Sequence, residues 1–184
     1  ARYQDLFAGK KFLMEFTTDD GSLGTEPATI ATKDGNVYIA ASMEGMSMRI
    51  LYQESTKKTY MFLDQMKIYT EMTEEMMDED ISEIFDIDSL TGNFSEGMSD
   101  ATITTSSKKV DGQELYCETV TTKDGAITNY YFDGEDLVLI ENVESGESST
   151  IKISKLTDNV PDSYFEIPKG YTYMDLNAMS GLFG

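Results

Sequence analysis

Methionine is abundant in this chain and histidine is absent, and that pair of facts frames what chemistry it can perform. Met43, Met46 and Met48 spell M-x-x-M-x-M, a thioether spacing that suits Cu(I). Strand alternation puts Met46 and Met48 on one face and Met43 across a turn. With no histidine or nearby cysteine to support them, a structural role is the stronger reading. The run Asp78, Glu79, Asp80, Glu83, Asp86 and Asp88 raises the question of calcium. A helix-loop-helix calcium loop starting at Asp86 would need an acidic or amide residue fifth and glycine sixth. The chain has Leu90 and Thr91 there, so a solvated helix face explains the run better. Carboxylate pairs could act as acid and base, but with 34 acidic residues some pairs fall close by chance. No G-x-S-x-G, no phosphate-cradling glycine loop and no Cys–His pair occurs. The expectation is a protein that is not an enzyme and needs no metal or cofactor.

Cys117 is the only cysteine, so no intramolecular disulfide can form. Its place beside Leu115 and Tyr116 in a strand-like run suits a small core residue better than a reactive thiol. The 14 basic residues against 34 acidic ones leave a formal charge of −20, which repels nucleic acid and anionic membrane surfaces. Hydrophobic residues make up 40%, enough for a globular core. The length fits one domain spanning 1–184. No run approaches the roughly 20 apolar residues of a transmembrane segment. The chain starts at Ala1 almost inside a structured pattern, which reads as a mature or trimmed chain, and any export signal or anchor would have been lost with the missing segment.

The elements that must position these residues are mostly strands. Ala1 to Ala8 reads as a helix end, with Tyr3, Leu6 and Phe7 on one side and Gly9 as C-cap. Lys10 to Thr18 alternates, with Phe12, Met14 and Phe16 on one face. Ala28 to Lys33, Asn36 to Ser42, Met46 to Gln53, Thr59 to Leu63 and Lys67 to Met72 follow, punctuated by Asp34-Gly35 and Glu44-Gly45. Thr73 to Phe85 changes to helical spacing through Met76, Met77, Ile81, Ile84 and Phe85, and Asp86 to Asp100 has no clear period. Strand grammar resumes over Ala101 to Val110, Gln113 to Thr122, Ala126 to Phe132, Asp136 to Val143 and Ser149 to Leu156. Asp111-Gly112, Asp124-Gly125, Asp133-Gly134 and Ser145-Gly146 turn between them. A last aromatic strand through Tyr164, Phe165 and Ile167 is stopped by Pro168. The pattern predicts an antiparallel meander with one face covered by the helical insertion at about 73–100.

This layout resembles the LolA/LolB-like lipoprotein-carrier superfamily and its secreted relatives. The resemblance lies in the opening helix running into Lys11-Phe12-Leu13-Met14-Glu15-Phe16, the Asn36-Val37-Tyr38 hairpin, the insertion near Thr73, and the ending Phe165-Glu166-Ile167-Pro168-Lys169-Gly170-Tyr171. It implies a mainly β (α+β) fold: a curved antiparallel sheet forming an incomplete, half-open barrel wrapped around a few helices. It also implies an exported protein, extracellular or in the cell envelope, lipid-anchored if the lost segment carried an anchor.

The function expected is non-catalytic binding of a lipid or acyl chain in an apolar cavity between sheet and lid. Phe12, Met14, Phe16, Ile39, Met46, Met48 and Ile50 would line it from the sheet, and Met76, Ile84 and Phe85 from the lid. The rival is a cell-surface interaction or sensor domain with a filled core, whose partner would be another envelope protein.

Overall fold

The computed structural model describes residues 2–19, 26–43, 46–73, 100–144 and 146–175. Helix α1 (Arg2–Ala8) is followed at once by β1 (Phe12–Thr18). Gly9 ends the helix because the chain doubles back tightly: a Cβ there would stand 2.8 Å from the Asp5 carbonyl oxygen. The first meander continues through β2 (Ala28–Lys33), β3 (Asn36–Met43), β4 (Met46–Gln53), β5 (Lys58–Leu63) and β6 (Ile68–Met72). Asp34 and Gly35, at φ of 51° and 79°, make the β2–β3 turn with the left-handed backbone that a two-residue hairpin requires. The second meander comprises β7 (Thr102–Val110), β8 (Gln113–Thr121), β9 (Ile127–Asp133), β10 (Asp136–Glu144) and β11 (Glu147–Thr157).

Both meanders belong to one 12-stranded sheet, ordered β12-β6-β5-β4-β3-β2-β1-β11-β10-β9-β8-β7. They join where β1 pairs antiparallel with β11, Leu13 opposite Thr157 and Phe16 opposite Ile153. The pleat then sorts the core into two faces. On the first face Phe12, Met14, Phe16, Ile30, Ile39, Ile140 and Ile151 pack beneath Tyr3 and Phe7 of α1. On the second face Leu13, Ala31, Tyr38, Leu51 and Phe62 pack beneath Val160 and Phe165.

The second face is covered by the chain after β11. A 3₁₀ turn at Asp162–Phe165 sets Tyr164 against Tyr38, ring centroids 5.0 Å apart. The Gln53 side chain donates to the Phe165 carbonyl at 3.0 Å. The strap ends in β12 (Thr172–Tyr173), which pairs with β6 in parallel. A charged latch fixes it there. Arg49 donates to one Asp64 oxygen through Nε at 2.8 Å and Nη2 at 2.5 Å, and the Tyr171 hydroxyl donates to the same oxygen at 2.6 Å. The guanidinium also lies 5.3 Å from the ring centroids of Phe62 and Tyr171.

Three expectations are corrected. The half-open barrel wrapped around a few helices does not stand. The sheet is open between its ends, β12 and β7, and the helical content of the described residues is the seven-residue α1, the 3₁₀ turn at Asp162–Phe165 and a 3₁₀ residue at Asp100. Among the described residues a short helix packs on one face of the sheet and an extended strap on the other. The aromatic segment expected as a last strand is instead that 3₁₀ turn, because Tyr164 and Phe165 both pack inward on the second face. The pairing is also not wholly antiparallel, since the strap returns alongside β6 in parallel. The helix and loop expected over 73–100 lie outside the described residues, apart from Thr73 and Asp100.

Burial pushes the Asp64 carboxyl up, but the hydrogen bonds from Arg49 and Tyr171 and the Arg49 charge outweigh it, leaving the carboxyl below its ordinary range. A depressed carboxylate stabilises the fold above its unfolded pKa, near 3.9, and that stabilisation is lost as pH falls through the lower folded value. Asp64→Asn is expected to cost about 1–3 kcal/mol at neutral pH. In urea unfolding followed across pH, the gap from wild type should narrow below about pH 4. A gap that stays constant to low pH would exclude the latch as an ionised pair.

Candidate functional site

The seven sheet residues expected to contact a ligand do share one face. Phe12, Met14 and Phe16 of β1, Ile39 of β3 and Met46, Met48 and Ile50 of β4 all stand on the first face by strand register. They are mostly packed core, and none of them lines the cleft that the described residues form. Phe12, Met14 and Phe16 are 0% exposed, and Ile39 and Ile50 are buried. Met48 is half-buried and Met46 is 50% exposed. Met76, Ile84 and Phe85 lie outside the described residues, as does the acidic run from Asp78 to Asp88. Met43 stands opposite Met46 in register. Among the described residues no cluster of three or more histidine, cysteine or acidic side chains could hold a metal. Cys117 is buried on the second face, packed with Leu115, Tyr131 and Leu139.

The cavity lies elsewhere on the first face, at the rim between α1 and strands β10 and β11. It measures about 330 Å³ and is half open. Tyr3 and Leu6 of α1 form one wall, Leu137 and Val138 of β10 a second, and Ile153 and Leu156 of β11 a third. Strand pairing explains why there is space here. The β10–β11 ladder ends at Leu139 opposite Lys152. Beyond that point β11 keeps pairing with β1, and β10 with β9, but not with each other. Each strand also carries a bulge at this level. Ser154 is the extra residue between Ile153 and Lys155, and Val138 the extra residue between Leu137 and Leu139. A bulge bends its strand and turns a side chain out of the alternation. Two facing bulges therefore splay the seam; both extra residues border the opening, although the Val138 side chain packs with Leu139 and Cys117 on the second face.

The floor is fixed by buried aromatics. The Tyr3 ring sits 5.1 Å from those of Tyr130 and Phe132, and its hydroxyl donates to Glu118 of β8. Tyr130 is 0% exposed, and burial pushes its hydroxyl well above the usual phenol range, only partly offset by Thr128. It stays neutral at any physiological pH. The mouth is polar: Glu135 and Asp136 at the β9–β10 turn, with Ser154 and Lys155 from β11. Ser154 donates to the Glu15 carbonyl at 3.1 Å, and Lys155 reaches the Glu15 carboxylate at 3.2 Å. The lining is mixed, with apolar and aromatic side chains from α1, β10 and β11 and these four polar residues beside them.

The alternation rule used on the sequence missed this cavity, although two departures from alternation mark it. Leu137, Val138, Leu139 and Ile140 form an unbroken apolar run, and Ile151, Ile153 and Leu156 step by two and then by three. Each departure coincides with a bulge.

No family model matches the chain, and no curated protein matches it. Among solved structures it is similar to an uncharacterized conserved protein from Thermus thermophilus, with a TM-score of 0.44 and 7% identity, covering 95% of both chains. It is also similar to PNGF-II, with a TM-score of 0.37 and 11% identity over 92% of this chain but only 31% of that one. Likenesses this distant fix neither the fold nor the function of this chain, and neither protein is named as a lipoprotein carrier.

The division of the first face into core and surface is open to test. Phe16→Ala should cost about 3–5 kcal/mol in chemical denaturation. Met46→Ala should stay within about 0.5 kcal/mol of wild type. Equal effects at both positions would mean that Met46 is covered in solution.

Proposed function

We propose that this domain is a non-catalytic binder of small amphiphiles, holding an apolar tail in the cleft between α1 and the splayed β10–β11 seam. The observation that carries the reading is the cavity itself, whose volume of about 330 Å³ falls at the lower end of ligand sites. Its walls are Leu6, Leu137, Ile153 and Leu156, which have no catalytic chemistry to offer. Binding would come from burial, about 0.8 kcal/mol gross for each methylene withdrawn from water, less the cost of ordering the chain. The ligand class is that of the sequence expectation, a lipid or acyl chain, but the site is relocated from the sheet centre to this rim. An exported setting at the cell envelope, where such chains are abundant, belongs to the same proposal.

One observation favours the rival reading of a protein-interaction domain. Strand β7 is a nine-residue edge, exposed along nearly its whole length and, among the described residues, paired only with β8. An edge of that kind can accept an added strand from a partner.

Titration with octanol, followed by tyrosine fluorescence and calorimetry, separates the two. Saturable binding is expected, weakened about tenfold by Leu156→Trp, a loss of about 1.4 kcal/mol. Ser154→Phe, which fills the cleft from an exposed position, should act the same way if Leu156→Trp disturbs folding. Absence of saturable binding to the wild-type protein would remove the ligand reading and leave the edge strand as the site.

A further inference from the structure

The cavity mouth is not neutral. Glu135 and Asp136 border it, both exposed, and neither carboxylate has a hydrogen-bond or ion-pair partner among the described residues. The cation at the mouth, Lys155, is already held by Glu15 at 3.2 Å. The other acid near the floor, Glu118, is occupied by the Tyr3 hydroxyl. Beyond the site, the whole chain carries a formal charge of −20. A fatty-acid carboxylate entering the cleft would meet two unpaired carboxylates and a repulsive field. An ammonium head would meet the same groups as partners, while its tail occupied the wall of Leu6, Leu137, Ile153 and Leu156.

From this we infer that the ligand is an amphiphile with a cationic head, an alkyl ammonium or alkylamine, and that Glu135 and Asp136 select it over the fatty acid of equal length. This rests on the amphiphile-binding reading and sharpens it by naming the head group. The charges are exposed, so their contribution is selective rather than large, and it is screened by salt. Glu135 and Asp136 are both exposed, so a head group beside them keeps contact with water while the tail is buried. That arrangement avoids the desolvation cost of burying a charge.

Three probes of equal tail length test it: octyltrimethylammonium, octanol and octanoate, each below its aggregation threshold, measured by calorimetry at low and high salt. The cation should bind about threefold to tenfold tighter than octanol, and octanoate weakest, at low ionic strength. Added salt should compress the series. Glu135→Gln combined with Asp136→Asn should bring the ratio of cation to octanol affinity towards one. If octanol binds saturably but cation and anion bind alike, the inference is overturned and the binding reading survives. If none of the three binds, the reading beneath it fails as well. A preference that persists in the double variant, or cation binding untouched by Leu156→Trp, would reflect the charge of the surface at large and overturns the inference too.

Discussion

Strand β1 is the constraint on which the molecule depends. It pairs with β2 on one side and β11 on the other, and so joins two meanders that would otherwise be separate sheets. A strand in the middle of so wide a sheet must be buried on both faces, and β1 reads accordingly. Phe12, Met14 and Phe16 face α1 and Leu13 faces the strap, with none more than 3% exposed. The helix reaches its face because it precedes β1 directly, and the strap reaches the other because it follows β11 directly. Cover for both faces thus comes from the two flanks of a single strand pair. That contiguity is why the sheet can remain open and still bury its centre.

Much of this was legible from local pattern. Alternation placed Phe12, Met14 and Phe16 together, and the Asp-Gly pairs marked turns that the backbone confirms with positive φ at Asp34, Gly35, Asp111 and Gly112. The β1–β11 pairing was not legible, because partners some 140 positions apart leave no local trace. Nor was the strap. Tyr164, Phe165, Ile167 and Tyr171 carry the aromatic content of a strand, but their hydrophobic partners lie on a sheet face and not along an edge. Composition reports that they are buried without reporting how. The barrel expectation failed for a related reason: whether the two ends of a sheet meet depends on pairing between distant strands, and β12 and β7 do not pair.

The cavity follows from hydrogen bonding more than from side-chain size. Where β10 and β11 part company, each keeps its ladder to its outer neighbour and leaves one side unpaired. Unpaired backbone groups are costly when buried and tolerable when water can reach them, so such a parting belongs at a rim. The two bulges make it possible there, by letting Leu137 and Ile140 share the first face although they are three residues apart. The site residues were therefore hidden in the sequence as irregularities of period. A reading that treats every break in alternation as noise discards the signal.

Charge completes the picture. The described ion pairs mostly bind separate elements: Lys33 to Asp162 of the strap, Lys58 to Glu71 across β5 and β6, Lys155 to Glu15 across β11 and β1. Each exposed pair of this kind contributes little, roughly 0–1 kcal/mol. Their larger consequence is distributional. With 14 basic residues against 34 acidic ones, pairing consumes cations while most carboxylates stay uncompensated. A mouth built from such a surface keeps its acids unless a lysine is placed beside them, and the lysine at this mouth is turned to Glu15 instead. The fold thereby brings together two properties that the sequence states separately: an excess of acid and a broken strand seam meet at one opening.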